Sequence, residues 1–556
     1  MQRFLVLALA CCLLLHLGSA LGRAPDELHI GITQFPATLH PNIDSMLAKT
    51  YVLGMAQRPL TGYDHKWQLQ CVLCQELPSL ENGEAWLEPL TTGGEGVAVR
   101  YRLDPRARWG DGTPVSTRDV LFTWQVGRNP DTGVAGLEAY RRILRVEVVD
   151  QHTFIFHVDR LTFDYASASG FHLLPEHLER EPFAAGAREY RNRTRYDRAP
   201  ATPGLYLGPY RVVEVVPGSH LLLERNEHWW GPRPYFSRIV VRAIENTAAL
   251  EANLLSGEID YVAGELGLSL DQALAFERRH GQRFRVLYQP GLIYEHLDLR
   301  HDHPWLGDHR VRQALLYGVD REAMSRELFA GKQGVAHSNV NPLDWVYSDD
   351  LPRYPYDPER ARALLEEAGL RAGRDGKRRD AQGRALTLEL MTTAGNRTRE
   401  LVEQVLAGQW RQLGLEVSIR NEPARVFFGE TITRRKFGAL ALFAWISSPE
   451  SVPRSTLHSE EIPGEDNGWS GQNYGGYRNP EMDRLIDAVE GEMDRERRRR
   501  LWAELQRLYA QELPALPLYF RSEAFVVPHW LEGVVPTGHQ FPSSYWVENW
   551  RRSAGG

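Results

Sequence analysis

The sequence predicts an α/β fold, and three observations carry that prediction. Short stretches rich in β-branched and aromatic residues alternate along the chain with amphipathic helical stretches, which is the pattern of strands and helices layered together. The helical stretches begin and end on capping and breaking residues where their periodicity begins and ends. An apolar content of 42% over 556 residues is ample for several cores, and the length suggests two to four domains.

At the N-terminus, Arg3 precedes an apolar run from Phe4 to Leu17 that ends in small residues. This run is too short to span a bilayer comfortably and has the build of a secretory signal peptide, residues 1–24, with cleavage after Ala20 or Ala24. A lipoprotein reading through Cys11 is the weaker one, because Ala8-Leu9-Ala10 is a poor lipobox and the apolar run continues past it. No other segment is long and apolar enough to cross a membrane. Cys11 and Cys12 lie within the signal, so Cys71 and Cys74 remain, spaced C-x-x-C. In an oxidising compartment a local disulfide is expected there rather than redox chemistry, since no thioredoxin-like βαβ context surrounds the pair. Two thiolates cannot make a four-cysteine zinc site.

Residues 109–124 read as a strand end, a tight turn and a capped helix. Gly110 and Gly112 flank Asp111, Pro114 stiffens the exit, and Ser116 with Asp119 makes a capping box. Further on, Asp357 caps a helix with Pro358 at its first position and Gly369 beyond its end; Ala361, Leu364, Leu365 and Ala368 share one face. The basic stretch Arg371 to Arg384 contains Asp375-Gly376 and Gly383 and reads as a solvated hairpin loop. Asn479-Pro480-Glu481 starts another helix with Met482, Leu485, Ile486 and Val489 inward. Arg497 to Arg500 reads as the wet face of a helix that buries Leu501, Leu505, Leu508 and Tyr509.

Charge and missing motifs exclude several classes. The formal charge of −7 becomes −8 without residues 1–20, whose one charged residue is Arg3, so no basic footprint invites nucleic acid. A secreted hydrolase, the rival class, lacks an anchor. Gly468-Trp469-Ser470-Gly471 is not a G-x-S-x-G, there is no H-E-x-x-H helix, and Glu366-Glu367 sits on an exposed helix face. His301-Asp302-His303 with His309 is the one metal-like cluster, and a solvated turn explains it more simply.

The segment 109–124 resembles the most recognisable stretch of the family 5 extracellular solute-binding proteins, the receptors of peptide-type ABC importers. Other stretches are similar to that family in the same order. They are Gly204 to Arg211 with Leu223-Glu224-Arg225-Asn226 and Trp229-Trp230, then Leu255 to Asp260, then Val311 to Leu315 with Asp320-Arg321-Glu322. Tyr356-Asp357-Pro358 and Tyr477 to Asp483 complete the set. The resemblance implies a bilobed periplasmic binding protein of type II, cluster C like, whose two lobes are joined by a two-strand hinge. Lobe I would be 25–288 plus 520–556, with an inserted subdomain at about 60–200, and lobe II would be 289–519. The hinge crossings would lie near Leu287 to Leu297 and Leu516 to Val526. A solute caught between the lobes favours closure because it touches both only when closed. The implied partners are a small peptide or peptide-like ligand and an inner-membrane ABC permease with its ATPase subunits. The protein would be a monomer of a Gram-negative periplasm, binding no nucleic acid, with no cofactor and no reaction.

The resemblance also points to ligand-binding residues, and there this sequence departs from the family. Peptide receptors of the group carry an Asp after the strand corresponding to Phe437 to Trp445, where it meets the peptide ammonium. Here Trp445 or Ser447 falls at that place, and the nearest carboxylate is Glu450. Either Glu450 substitutes, or the cargo presents no free ammonium there. Asp44, Ser45 and Met46 would face the cleft from the loop after the first strand, Tyr294 from a crossing strand, and Arg434 from the position where some relatives meet a ligand carboxylate. The same fold also admits haem, a nickel chelate, an oligosaccharide or an opine.

Overall fold

The computed structural model describes residues 26–554 except 44, 45, 92, 468 and 470. The signal segment, Asp44 and Ser45 therefore lie outside the described residues. The main sheet has ten strands, numbered along the chain: β1 (Glu27–Ile32), β2 (Tyr210–Val216), β3 (His220–Arg225), β4 (Arg238–Ala243), β5 (Tyr261–Val262), β6 (Phe284–Leu299), β7 (Thr387–Met391), β8 (Glu416–Ile419), β9 (Leu440–Trp445) and β10 (Ala515–Pro528). Their spatial order is β8-β7-β9-β6-β10-β5-β1-β4-β3-β2. On one side, β1 lies parallel to β4 and β5; on the other, β7 lies parallel to β8 and β9.

Two strands hold these halves together. β6 and β10 pair antiparallel from Phe284↔Pro528 to Asp298↔Ala515. The first part of β6 neighbours the half containing β1, and Tyr294 to Leu299 pair with β9. The register breaks between Pro290 and Tyr294. Gly291 lies in that break, and a Cβ there would stand 2.7 Å from the Gly538 carbonyl oxygen, so the close approach requires glycine. Separate apolar cores lie under the halves. One contains Leu28, Ile30, Ile239 and Val241, and the other contains Leu297, Leu299, Leu388, Leu440 and Trp410.

A satellite sheet of four antiparallel strands, Ala85–Pro89, Glu95–Arg102, Thr153–Val158 and Ile143–Val148, packs Val97, Val99, Tyr101, Phe154 and Phe156 around Trp109. The helices that bear on the site and its supports are α1 (Leu47–Ala56), α2 (Thr117–Gly127), α3 (Pro358–Glu367), α4 (Arg397–Gln412), α5 (Pro480–Gly491) and α6 (Arg495–Glu512). α2 starts on the expected capping box, with Asp119 Oδ2 accepting from the Ser116 N–H at 2.9 Å. Asp119 Oδ1 also accepts from the Glu176 N–H at 2.9 Å, so this cap ties two helices together. Cys71 and Cys74 are joined as a disulfide beside this sheet, their Cα atoms 5.2 Å apart.

Two basic stretches differ from their sequence reading. Arg371–Ala372 and Arg378–Arg379 do pair as a hairpin, but Arg378 is buried and donates to the carbonyls of Leu370 and Leu413. In α6, Arg498 turns inward to a carboxylate while its neighbours Arg497, Arg499 and Arg500 stay exposed. In both places orphan acceptors within the fold take up a guanidinium that periodicity assigns to water.

Candidate functional site

Alternation along β6 builds one wall of a cleft. Leu297 and Leu299 face the core, so Tyr294, His296 and Asp298 face the other way. Opposite them on β9 stand Trp445, Phe443 and Ala441 respectively. Their rings form a continuous stack. The centroids of Tyr294 and His296 are 5.0 Å apart at 8°, those of His296 and Trp445 6.5 Å at 18°, and those of Trp445 and Tyr474 5.9 Å at 28°. Tyr294, His296 and Trp445, with Ser447, Asn339 and Tyr509, line a cavity of about 840 Å³ including its open mouth.

Most polar groups of this cavity already have internal partners. Tyr294 shares a 2.8 Å hydrogen bond with the Tyr509 hydroxyl, and burial pushes both phenols up, so they stay protonated. Asn473 donates to the carbonyls of His458 and Tyr477. Two groups are different. The Asn339 Oδ1 is buried without a hydrogen-bond partner. Asp298 has His296 as its ion-pairing contact, with Oδ1 3.2 Å from Nε2, and forms no pair with Arg or Lys among the described residues.

A second cavity, about 910 Å³ with its mouth, adjoins the first at Ser451, Val452 and Ser455. Tyr63, Phe163 and Asp164 of the first half of the chain face Glu450, Arg454 and Glu490 across it. The far rim is bridged. The Phe163 N–H donates to the Glu490 carbonyl at 2.9 Å, Arg160 reaches the Glu490 carboxylate at 3.5 Å, and the Arg498 guanidinium lies 4.4 Å over the Phe163 ring. Burial raises the Glu450 carboxyl above its ordinary range against the pull of Arg498. Its Oε1 accepts from Arg498 Nε, its Oε2 from Trp345 Nε1 at 3.0 Å, and its N–H donates to Asp344 at 2.7 Å.

Of the residues singled out from the sequence, Tyr294, Trp445 and Ser447 line the first cavity together, and Glu450 lines the second with both oxygens engaged. Met46 precedes α1 as its N-cap and packs against the core under β1. Arg434 is half exposed outside both cavities, 3.3 Å from Glu430 and 5.9 Å from the Trp469 ring. Sequence reasoning passed over His296, Asp298 and Asn339. The first two had a signal, since Tyr294-Glu295-His296-Leu297-Asp298 alternates, while Asn339 lies in a loop with no pattern. Among the described residues no group of three His, Cys, Asp or Glu is placed to hold a metal ion. His301 Nε2 is bound to the Pro514 carbonyl at 2.9 Å, and burial lowers its pKa to about 4.

Comparison with known proteins places this geometry. Residues 88–461 match the model described as bacterial extracellular solute-binding proteins, family 5 Middle. The oligopeptide-binding protein AppA of Bacillus subtilis is 23% identical over 533 residues, covering 94% of this chain and 91% of its own length. An oligopeptide-binding protein from Thermus thermophilus, solved with a pentapeptide, superposes with a TM-score of 0.83 at 28% identity, over 96% of this chain and 97% of its own. NikZ from Campylobacter jejuni, solved with Ni(L-His), superposes with a TM-score of 0.79 at 22% identity, over 95% of this chain and 100% of its own; that likeness concerns the fold.

Proposed function

This chain belongs to the family 5 bacterial extracellular solute-binding proteins, and we propose that it is the receptor of an ABC importer that captures a peptide or peptide-like solute and delivers it to the permease. The observation that carries the reading is the pair of adjoining cavities beside β6 and β10, bridged at the far rim by Phe163 and Arg160. Residues 25–288 with 520–556 act as one lobe and 289–519 as the other. β6 and β10 serve as the hinge, and the register break at Gly291 localises the bend. Arg498 couples the lobes by stacking on Phe163 while Glu450 neutralises it, so Glu450 is a part of the closing device rather than an ammonium anchor. Tyr294, Trp445 and Ser447 contact the cargo, Trp445 offering a flat face to a peptide plane or side chain. Asp44 and Ser45 would approach from the other lobe, while Met46 packs against the core and Arg434 serves the surface.

Binding here is a population shift towards the closed form, without conversion of the solute. The mature chain, freed of residues 1–24, works in the periplasm of a Gram-negative cell as a monomer, delivering to a membrane permease with its ATPase subunits. Among the described residues no helix is long and apolar enough to cross a membrane. The test is native mass spectrometry of the protein purified from periplasm, followed by denaturation to release the cargo. A peptide mass supports the reading. A metal chelate, haem or sugar mass moves it to the non-peptide alternative, and product formed from bound solute overturns the receptor itself.

A further inference from the structure

The first cavity has the composition of a cation-binding pocket. Its one carboxylate is Asp298, flanked on the neighbouring strands by Ala441 and Ala515 and paired with His296. On β6 it lies two residues, roughly 7 Å at strand rise, beyond His296, whose ring stacks on Trp445. The Asn339 Oδ1, buried without a partner, also lines this cavity, near Leu292 and Ser447. The Asp298 charge reaches the hydroxyls of Tyr474 and Tyr509 and adds to burial in keeping both protonated. Among the described residues no Arg or Lys lines this cavity.

Electrostatics of the approach agree. The adjoining cavity is lined by Glu138, Asp164, Glu450, Glu461 and Glu490 against Arg142 and Arg454. Arg454 is taken by Glu490 and Asp487, and Glu450 by Arg498. Asp164 and Glu461 form no ion pair among the described residues. A cationic group entering the cleft therefore moves down a potential gradient towards Asp298. Faces of Trp and Tyr attract the same charge, and a Lys or Arg stem is long enough to pass Trp445 and bring its head to the carboxylate.

We propose that Asp298 is the specificity-determining residue of a cation pocket, with Trp445, Tyr294 and Tyr509 as its walls. The preferred cargo is then a peptide bearing a basic side chain, Arg or Lys. The inference deepens the receptor reading and rests on it. The pocket selects a side chain of the cargo.

The experiment is isothermal titration of the purified mature protein, stripped of cargo, with alanine pentapeptides carrying one Arg, citrulline or norleucine at each position in turn. Agmatine and spermidine serve as non-peptide cations. At one position or more, Arg should bind roughly tenfold to a hundredfold tighter than its neutral isostere citrulline, as expected for a charge-assisted hydrogen bond. Asp298→Asn should erase that preference while leaving norleucine peptides within about threefold of wild type. Asp298→Glu should restore part of it, and thermal melts of both variants verify folding. Equal affinity for Arg and citrulline peptides at every position, or a preference that survives in Asp298→Asn, overturns the pocket and leaves the receptor reading intact. If no peptide binds but agmatine or spermidine does so in an Asp298-dependent way, the peptide reading falls and the cation pocket stands. Binding of neither class overturns the pocket.

Discussion

Asp298 and Glu450 line adjoining cavities, and their surroundings differ in every respect that matters to a carboxylate. Glu450 is held by Arg498 and Trp345, with its own N–H tied to Asp344. Asp298 has the imidazole of His296 beside it and Ala441 and Ala515 opposite it on the neighbouring strands, with no Arg or Lys paired to it among the described residues. The difference teaches that nearness to a cleft does not make a ligand anchor. A buried charge whose donors are supplied by the fold is structural, and one whose donors are missing is available to a solute. Glu295 is the extreme of the first kind. It is fully buried on the opposite face of β6 between Arg399 and Arg521, which hold its carboxyl below the ordinary range against the desolvation that opposes them.

The largest effect should come from breaking that extreme. Glu295→Gln leaves the buried Arg399 and the partly exposed Arg521 unmatched, and the loss should be about 3 kcal/mol in denaturant melts at neutral pH. The folded pKa is depressed, so its stabilisation is present above the unfolded carboxyl range and vanishes as pH falls through the folded value. The gap between wild type and variant should therefore narrow in acid. A gap that stays constant with pH would remove the ion-pair account.

Arg498→Met should cost about 3 kcal/mol at neutral pH by leaving Glu450 buried without its cation. Glu450 already has a raised pKa, so protonation favours the folded state below the unfolded carboxyl range, and the penalty should shrink at lower pH. The same variant loses the stack on Phe163 and should shift the solution scattering of the ligand-bound protein towards a more open form. Unchanged melts and scattering would return Glu450 to the candidate ligand anchors.

Trp445→Ala should weaken cargo binding by about 2 kcal/mol, with Trp445→Phe recovering part of it. Titration calorimetry checks this, and an unaltered affinity would place Trp445 in the core alone. The smallest effect should come from Ser447→Asp, which puts a carboxylate at the cavity mouth. Peptides with a free amino terminus should gain up to about 1.5 kcal/mol over their N-acetylated forms. Equal gains for both forms would mean that Ser447 does not face the amino terminus.

Much of the fold was legible in the sequence because its signals are local. The capping box at Ser116 and Asp119 and the caps at Asp357 and Asn479 act within one turn of helix, and all of them form in the folded chain. The candidate site was legible through the family resemblance, which pointed to Tyr294, Trp445 and Ser447, and these line one cavity. It was not legible where the decision rests on partners distant along the chain. Nothing near Glu450 announces Arg498, 48 residues away, and nothing in the run of four arginines in α6 shows which one turns inward.

The sequence by itself determined the α/β class, the family and the ordered set of turns and caps, because periodicity and backbone preference are properties of neighbouring residues. Only the tertiary structure decided which charges are matched. Burial and hydrogen-bond partners arise when β6, β9 and α6 come together, and the energy of a carboxylate depends on those distant donors far more than on its place in the chain.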